Sequence, residues 1–268
     1  MGGPILKYEG QTFEKGSVTK VTDPLTVEQG LQISVNGKPF TVVMQTPGDE
    51  KELAYGLLYA EDVLDKKSTP AFELKTNKHG YIDEVNVTLP DDQLRDGYKS
   101  VRSLLSVSSC GICGKQSLED VNISGTALKS EEKFSTDALF KMQQTMFDNQ
   151  TVFSQTGGCH GVAAFSKAGE MLALREDIGR HNALDKVVGK LLFDKKLSES
   201  KVISFSGRIS YEIVSKAFRA GIPIIMAVSA PSSLAIDFAK EFGLTILAFT
   251  RNGKTTCYAN PSRIQAVK

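Results

Sequence analysis

Ile222-Pro223-Ile224-Ile225-Met226-Ala227-Val228 is an apolar run of strand length with a helical pattern on either side, over 210–220 and over 232–242. It is far shorter than the roughly 18 residues a membrane-crossing helix needs, and its proline argues against a helix interior. It reads as a buried strand. Outward from it the alternation continues: helix over 182–192, strand over 202–205, helix over 210–220, strand over 222–228, helix over 232–242 and strand over 245–249. That order predicts βαβ layers on a mainly parallel sheet. Arg251-Asn252-Gly253-Lys254 then turns the chain into 255–259, an antiparallel edge strand. Upstream, a helix over 135–147 leads to Gly157-Gly158-Cys159-His160-Gly161 and a hairpin of strands 162–165 and 171–174.

The N-terminal third has a different rhythm. Strands over 31–35 and 40–43 flank Asn36-Gly37, a two-residue hairpin signal. A helix follows, with Thr46 expected as its cap, Pro47 in its first turn, and Leu53, Leu57, Leu58 and Leu64 on one face. Strands over 71–74 and 82–87 close a small α+β domain. Residues 1–99 are therefore assigned to that domain, and residues 100–268 to a larger α/β domain preceded by a Ser- and Gly-rich loop around two cysteines.

Composition narrows the partners. With 32 basic and 31 acidic residues the net charge is +1, so neither nucleic acid nor an anionic membrane is indicated. The charged residues Lys7 and Glu9 arrive before any apolar leader, so no export is expected. Four cysteines, two of them in Cys110-Gly111-Ile112-Cys113, suggest thiol or metal chemistry in a reducing compartment, with the cytoplasm fitting best.

A cysteine is a nucleophile only as thiolate, which nearby cations and loop amides favour. Cys110 has Arg102 and Lys115 in the same carboxylate-free segment, and Gly111 and Gly114 let the backbone present its amides. The two thiols of a C-x-x-C can also reach one another, which suits sulfur shuttling or redox exchange. Half of a structural zinc site is the alternative, but its remaining ligands would have to come from the adjacent Cys159 and His160. A zinc deaminase is rejected: the only upstream histidine, His79, is followed by Gly80 and Tyr81, so the H-x-E motif is missing. No intrinsic metal is expected.

Three further segments carry candidate binding groups. Arg175-Glu176-Asp177-Ile178-Gly179-Arg180-His181-Asn182 places polar side chains before a helix, suited to phosphate or sugar contacts or to solvated capping. Ser206-Gly207-Arg208 and Phe249-Thr250-Arg251-Asn252-Gly253-Lys254 follow strands, where open α/β sheets bind ligands. Gly253-Lys254-Thr255 is not a Walker A motif, because Ala248 takes the first glycine position and a strand follows. Arg251 and Lys254 suit a nucleotide pyrophosphate, and a surface Asn-Gly hairpin explains the same letters. The roles of Cys159, His160 and His181 stay open.

Together, Ser109-Cys110-Gly111-Ile112-Cys113-Gly114, Thr156-Gly157-Gly158-Cys159-His160, Arg175 through Asn182 and Ser206-Gly207-Arg208 resemble the formate dehydrogenase accessory sulfurtransferase family, FdhD. The resemblance runs from the early Glu52-Leu53-Ala54-Tyr55-Gly56 to the 249–254 turn. It implies a cytidine-deaminase-like mixed sheet with flanking helices and a homodimer. It further implies that persulfide sulfur is taken from a cysteine desulfurase and passed to bis(molybdopterin guanine dinucleotide) molybdenum cofactor, bound as substrate, for formate dehydrogenase. Cys110 aligns with the persulfide cysteine, Cys113 with the second cysteine of the motif, and Phe249, Thr250, Arg251, Asn252, Gly253 and Lys254 with the cofactor-binding stretch. The competing classes are a cofactor-binding chaperone without covalent sulfur chemistry and a redox thiol exchanger.

Overall fold

The structure is a computed structural model in which residues 2–99 and 125–266 are described. The chain opens with an antiparallel ribbon of β1 (Ile5–Glu14) and β2 (Ser17–Thr26). The hairpin β3 (Gln29–Val35) and β4 (Lys38–Gln45), the helix α1 (Glu50–Ala60), and the strands β5 (Ala71–Thr76) and β6 (Ile82–Thr88) follow. They build a four-stranded sheet in the order β4-β3-β6-β5, and the short α2 (Asp96–Lys99) comes after it.

The remaining elements are β7 (Phe134–Ser135), α3 (Thr136–Asp148), α4 (Thr151–Thr156), β8 (His160–Ser166), β9 (Met171–Asp177) and α5 (Arg180–Phe193). After them come β10 (Ser200–Phe205), α6 (Tyr211–Arg219), β11 (Ile224–Ala227), α7 (Ser233–Phe242), β12 (Thr245–Arg251), β13 (Lys254–Ala259) and β14 (Ile264–Gln265). The large sheet has the order β13-β12-β11-β10-β8-β9, with β10, β11 and β12 parallel and every other pairing antiparallel. The mixed α/β layering expected from the sequence is present.

Period-two alternation sorts the strand side chains onto two faces. Ile203, Phe205, Ile225, Ala227 and Ile246 face the helices α5, α6 and α7 in one core. Val202, Ile224, Met226 and Leu247 face the other way and pack with Leu139, Met142 and Met146 of α3. The first core does not stop at the large sheet. It runs on through α5 into α1 and the inner faces of β3 and β6, so Leu31, Ile33, Leu53, Leu58 and Val85 share one apolar cluster with Ile203.

The α1–α5 crossing depends on two glycines. A Cβ at Gly56 would lie 1.9 Å from the Asp185 carbonyl oxygen, and one at Gly189 would lie 1.9 Å from the Glu52 carbonyl oxygen. Only residues without a Cβ allow backbone to meet backbone here.

One local expectation is corrected. Thr46 does not cap α1, which begins at Glu50 behind Asp49, itself in the left-handed region at φ 64°. Thr46 is instead drawn into contacts with the other half of the chain: its amide donates to Asp177 Oδ2 at 3.0 Å, and its hydroxyl accepts from the Ile178 amide at 3.1 Å.

Candidate functional site

β9, β10, β11 and β12 all run in the same direction, since β9 and β10 are both antiparallel to β8. Their carboxyl ends therefore open on a single edge, and the loops there lead into α5, α6 and α7, whose positive helix termini gather at that edge. His160, the first residue of β8, stands there too, opposite Asp177. The loops are stitched side by side. Ser206 exchanges backbone and side-chain hydrogen bonds with Gly161 at 3.0 Å, Ile209 donates to the Ala230 carbonyl at 3.1 Å, and Phe249 donates to the Ser229 carbonyl at 3.3 Å.

Most of the 175–182 motif turns inward. Arg175 grips Glu52 with Nε at 2.6 Å and Nη2 at 2.9 Å, and Asp49 lies 3.2 Å away. The Glu176 carboxylate accepts from the amides of Val152 and Phe153 at the start of α4, both at 2.8 Å. Asp177 is fully buried and binds Lys186 Nζ at 2.8 Å, Gly179 N at 2.7 Å and Asn182 Nδ2 at 3.1 Å, besides the Thr46 amide. Lys186 also donates to the Thr46 carbonyl at 2.6 Å, and Asn182 to the Met44 carbonyl at 2.7 Å. His181 is buried between Ser210 and Glu212, with Nε2 3.2 Å from each. These contacts fasten β9 to α1 and α4, and α5 to the N-terminal hairpin and α6, so solvated capping does not describe them.

Arg180 differs. Among the described residues its Nε is buried without a hydrogen-bond partner, and it and Arg208 both act electrostatically on His160. A Cβ on Gly207 would sit 3.1 Å from His160 Nδ1 and 3.8 Å from Arg180 Cδ, so the glycine lets the loop after β10 close over both side chains. Burial, reinforced by Arg180, pushes the His160 imidazole below its usual range; Arg208 adds to this and Asp177 opposes it. Sequence reading found these residues in separate motifs. The antiparallel pairing of β8 with β10 brings them together.

The 249–254 stretch is the hairpin between β12 and β13. Asn252 and Gly253 have φ of 52° and 68°, and Arg251 pairs with Lys254 across the turn, with both side chains exposed. Phe249 is exposed at φ 54°, in a bulge between Ala248 and Arg251, and meets Tyr258 edge-on at 6.3 Å. Thr250 points inward: it is fully buried, its hydroxyl contacts Thr255 at 2.7 Å, and its carbonyl accepts from Gln143 at 2.7 Å. The stretch thus presents Phe249, Arg251, Asn252, Gly253 and Lys254 outward, with Thr250 as their anchor.

Cys110, Cys113, Arg102 and Lys115 lie outside the described residues. The other two cysteines are placed. Cys159 is 6% exposed, and its Sγ contacts Glu176 Oε1 at 3.4 Å. Burial and that carboxylate push its thiol up to about 12. Cys257 donates to the Ala259 carbonyl at 3.3 Å, and burial raises its thiol as well. Among the described residues no three His, Cys, Asp or Glu side chains gather as a metal-binding group, and no helix is long and apolar enough to cross a membrane.

The class is an open, mixed-sheet α/β protein with three helix N-termini on one edge of the large sheet. Comparison with known proteins is more specific. Residues 26–265 match the model of the FdhD/NarQ family. A relative from Saccharolobus solfataricus, named sulfur carrier protein FdhD, is 38% identical over 98% of this chain and 100% of its own length. One of the same name from Streptomyces avermitilis is 39% identical over 93% of this chain and 92% of its own. The crystal structure of a protein from Desulfotalea psychrophila, described as a formate dehydrogenase accessory protein, superposes with a TM-score of 0.76 at 22% identity, covering 97% of this chain and 99% of that one. The chain belongs to the FdhD/NarQ family.

Proposed function

We propose that the chain is a sulfur carrier serving formate dehydrogenase: it accepts persulfide sulfur on Cys110 from a cysteine desulfurase and passes it to the bis(molybdopterin guanine dinucleotide) molybdenum cofactor. Family membership supports the sulfur role. The observation that directs the chemistry to the 110–113 motif is the state of the other thiols. Cys159 and Cys257 are both held as neutral, hydrogen-bonded groups, which leaves two of the four cysteines to carry sulfur.

In the first step the Cys110 thiolate attacks the outer sulfur of the donor persulfide. The donor S–S bond breaks, the donor cysteine leaves as thiolate, and Cys110 becomes the persulfide. Arg102 and Lys115, in the same segment, balance its charge. The Cys113 thiolate then attacks the Cys110 sulfur, so the Cys110–Cys113 disulfide forms, the persulfide S–S bond breaks, and the terminal sulfur leaves as hydrosulfide for the molybdenum of the substrate cofactor. The exposed Arg251 and Lys254 hold a pyrophosphate of that cofactor, and Phe249 offers a ring for guanine to stack on. In this reading residues 1–99 form the smaller α+β domain, and residues 100–268 a layered domain similar to cytidine deaminases. The protein works in the cytoplasm as a homodimer.

The test is intact mass after incubation with a cysteine desulfurase and cysteine, under non-reducing conditions, with metal content measured on the same sample. A sulfur-mass adduct mapped to Cys110, absent in Cys110→Ala, is expected. Full sulfur transfer by Cys110→Ala, or zinc held by Cys110 and Cys113 with no adduct, would sink the carrier role. A Cys110–Cys113 disulfide that never gains sulfur would make the loop a redox exchanger.

A further inference from the structure

A cavity of about 540 Å³ lies on the far side of the large sheet from the carboxyl edge, at the amino ends of its parallel strands. Lys201 stands there at the start of β10 and Gly221 ahead of β11, and the length of β10 puts about 20 Å between the two edges. Leu64 and Leu197 are buried in its lining, while Lys66, Lys67, Arg95, Lys201 and Arg219 carry charge around them. Among the described residues Asp65 is the one carboxylate in that lining. Arg95, at 2.6 Å, and Arg219 share Asp62 behind the wall. Arg95 also lies 3.7 Å from Asp65, and Lys201 lies 3.6 Å from Glu132. Five cations thus meet three carboxylates, and the two left over, Lys66 and Lys67, are exposed with no ion pair among the described residues.

The stretch that carries Cys110 leaves the described residues beside this cavity and returns beside it. Ahead of it, the Arg95 amide donates to the Val63 carbonyl at 2.9 Å and the Gly97 amide to the Asp62 carbonyl at 3.0 Å. A Cβ on Gly97 would sit 1.9 Å from the Glu61 carbonyl oxygen, so backbone meets backbone there. Beyond it, a Cβ on Gly125 would lie 2.9 Å from the ring of Phe218, the neighbour of Arg219 in the chain. Because Arg219 pairs with Asp62, both ends of the stretch stand against one wall of the cavity.

We propose that this cavity docks an acidic segment of the protein that hands sulfur to Cys110, so that the donor arrives at the amino edge of the large sheet. The site rests on the sulfur-carrier reading for the identity of its partner. A phosphodiester backbone, charged at every residue, would meet Asp65 as well as the cations. A short peptide with two carboxylates can match Lys66 and Lys67 and lay its apolar stems on Leu64 and Leu197. Charge pairs on such a rim act mainly on encounter and are screened by salt.

The experiment measures sulfur loading of the full-length chain against the concentration of a cysteine desulfurase, and binding of the two proteins by sedimentation velocity. It compares the parent with Lys66→Glu/Lys67→Glu and with Lys15→Glu/Lys20→Glu, an equal charge change on the exposed β1–β2 ribbon. Loading by sodium polysulfide, a donor too small to need docking, is measured alongside. The 66/67 pair should raise the desulfurase concentration for half-maximal loading about tenfold or more and weaken binding alike, while polysulfide loads it as fast as the parent. A tetraglutamate peptide should compete with the desulfurase. Unchanged dependence on the desulfurase in the 66/67 pair, an equal loss in the 15/20 pair, or an equal loss of polysulfide loading would overturn the site. Competition by tripolyphosphate but not by tetraglutamate would make it a phosphate site and overturn the acidic-segment assignment. A parent that takes no sulfur from polysulfide on Cys110, yet binds the desulfurase through Lys66 and Lys67, would refute the sulfur reading and leave the docking site standing.

Discussion

Cys159 shows how far burial decides chemistry at a single residue. With its thiol raised to about 12, roughly one molecule in ten thousand carries the thiolate at pH 8. Iodoacetamide should therefore label Cys159 at least about a hundredfold more slowly in the native chain than after unfolding. The native rate should climb about tenfold per pH unit from 7 to 10. A plateau below pH 9, read by peptide mapping, would make Cys159 a candidate nucleophile again. The sequence located this residue and its neighbours but not their roles, because the polar 175–182 motif looks like a solvated helix entry when read in one dimension. Glu176, Asp177, His181 and Asn182 are polar because they close contacts between segments far apart in the chain, 131 positions for Thr46 with Asp177 and 29 for His181 with Ser210. No periodicity encodes such partners.

Secondary elements were legible where one face is buried. The helices α5, α6 and α7 and the strands β10, β11 and β12 fall within a few residues of the ranges their apolar patterns predict, and Ser135 and Ser232 cap α3 and α7 by accepting from Ala138 N and Ala235 N at 3.2 Å. The β1–β2 ribbon was missed for the converse reason. Nearly every side chain on it is exposed, with Tyr8 at 56% and Phe13 at 74%, so no alternation of buried and exposed positions marks it. Its turn, Lys15-Gly16 with φ of 46° and 83°, was the available signal. The α1 helix predicts its own experiment. Gly56→Ala puts a methyl group 1.9 Å from a backbone oxygen that no rotamer change can move, so α1 and α5 must separate. We expect a loss of about 3 kcal/mol in urea unfolding, while Ala54→Gly on the same helix costs about 1 kcal/mol by lost propensity and packing. Equal effects would mean the crossing is not as tight as drawn.

At the scale of the molecule, the N-terminal sheet and the large sheet are joined by an unbroken apolar cluster, by Arg175 on Glu52 and by Lys186 on Asp177 and Thr46. Both halves should therefore unfold in a single cooperative transition, with circular dichroism and tyrosine fluorescence coinciding. Lys186→Met, which strands a fully buried carboxylate, should lower stability by about 3–5 kcal/mol without splitting that transition. Two separated transitions in the parent would show that the joint is weaker than its contacts imply. The glycine crossing carries a further consequence for exchanging parts between relatives. A chimera cut between α1 and β9 takes Gly56 and Glu52 from one parent and Gly189 and Arg175 from the other, so the four must be transplanted as one set. Grafts that preserve the set should be interchangeable across relatives under 40% identical, and grafts that split it should be insoluble whatever loops they carry.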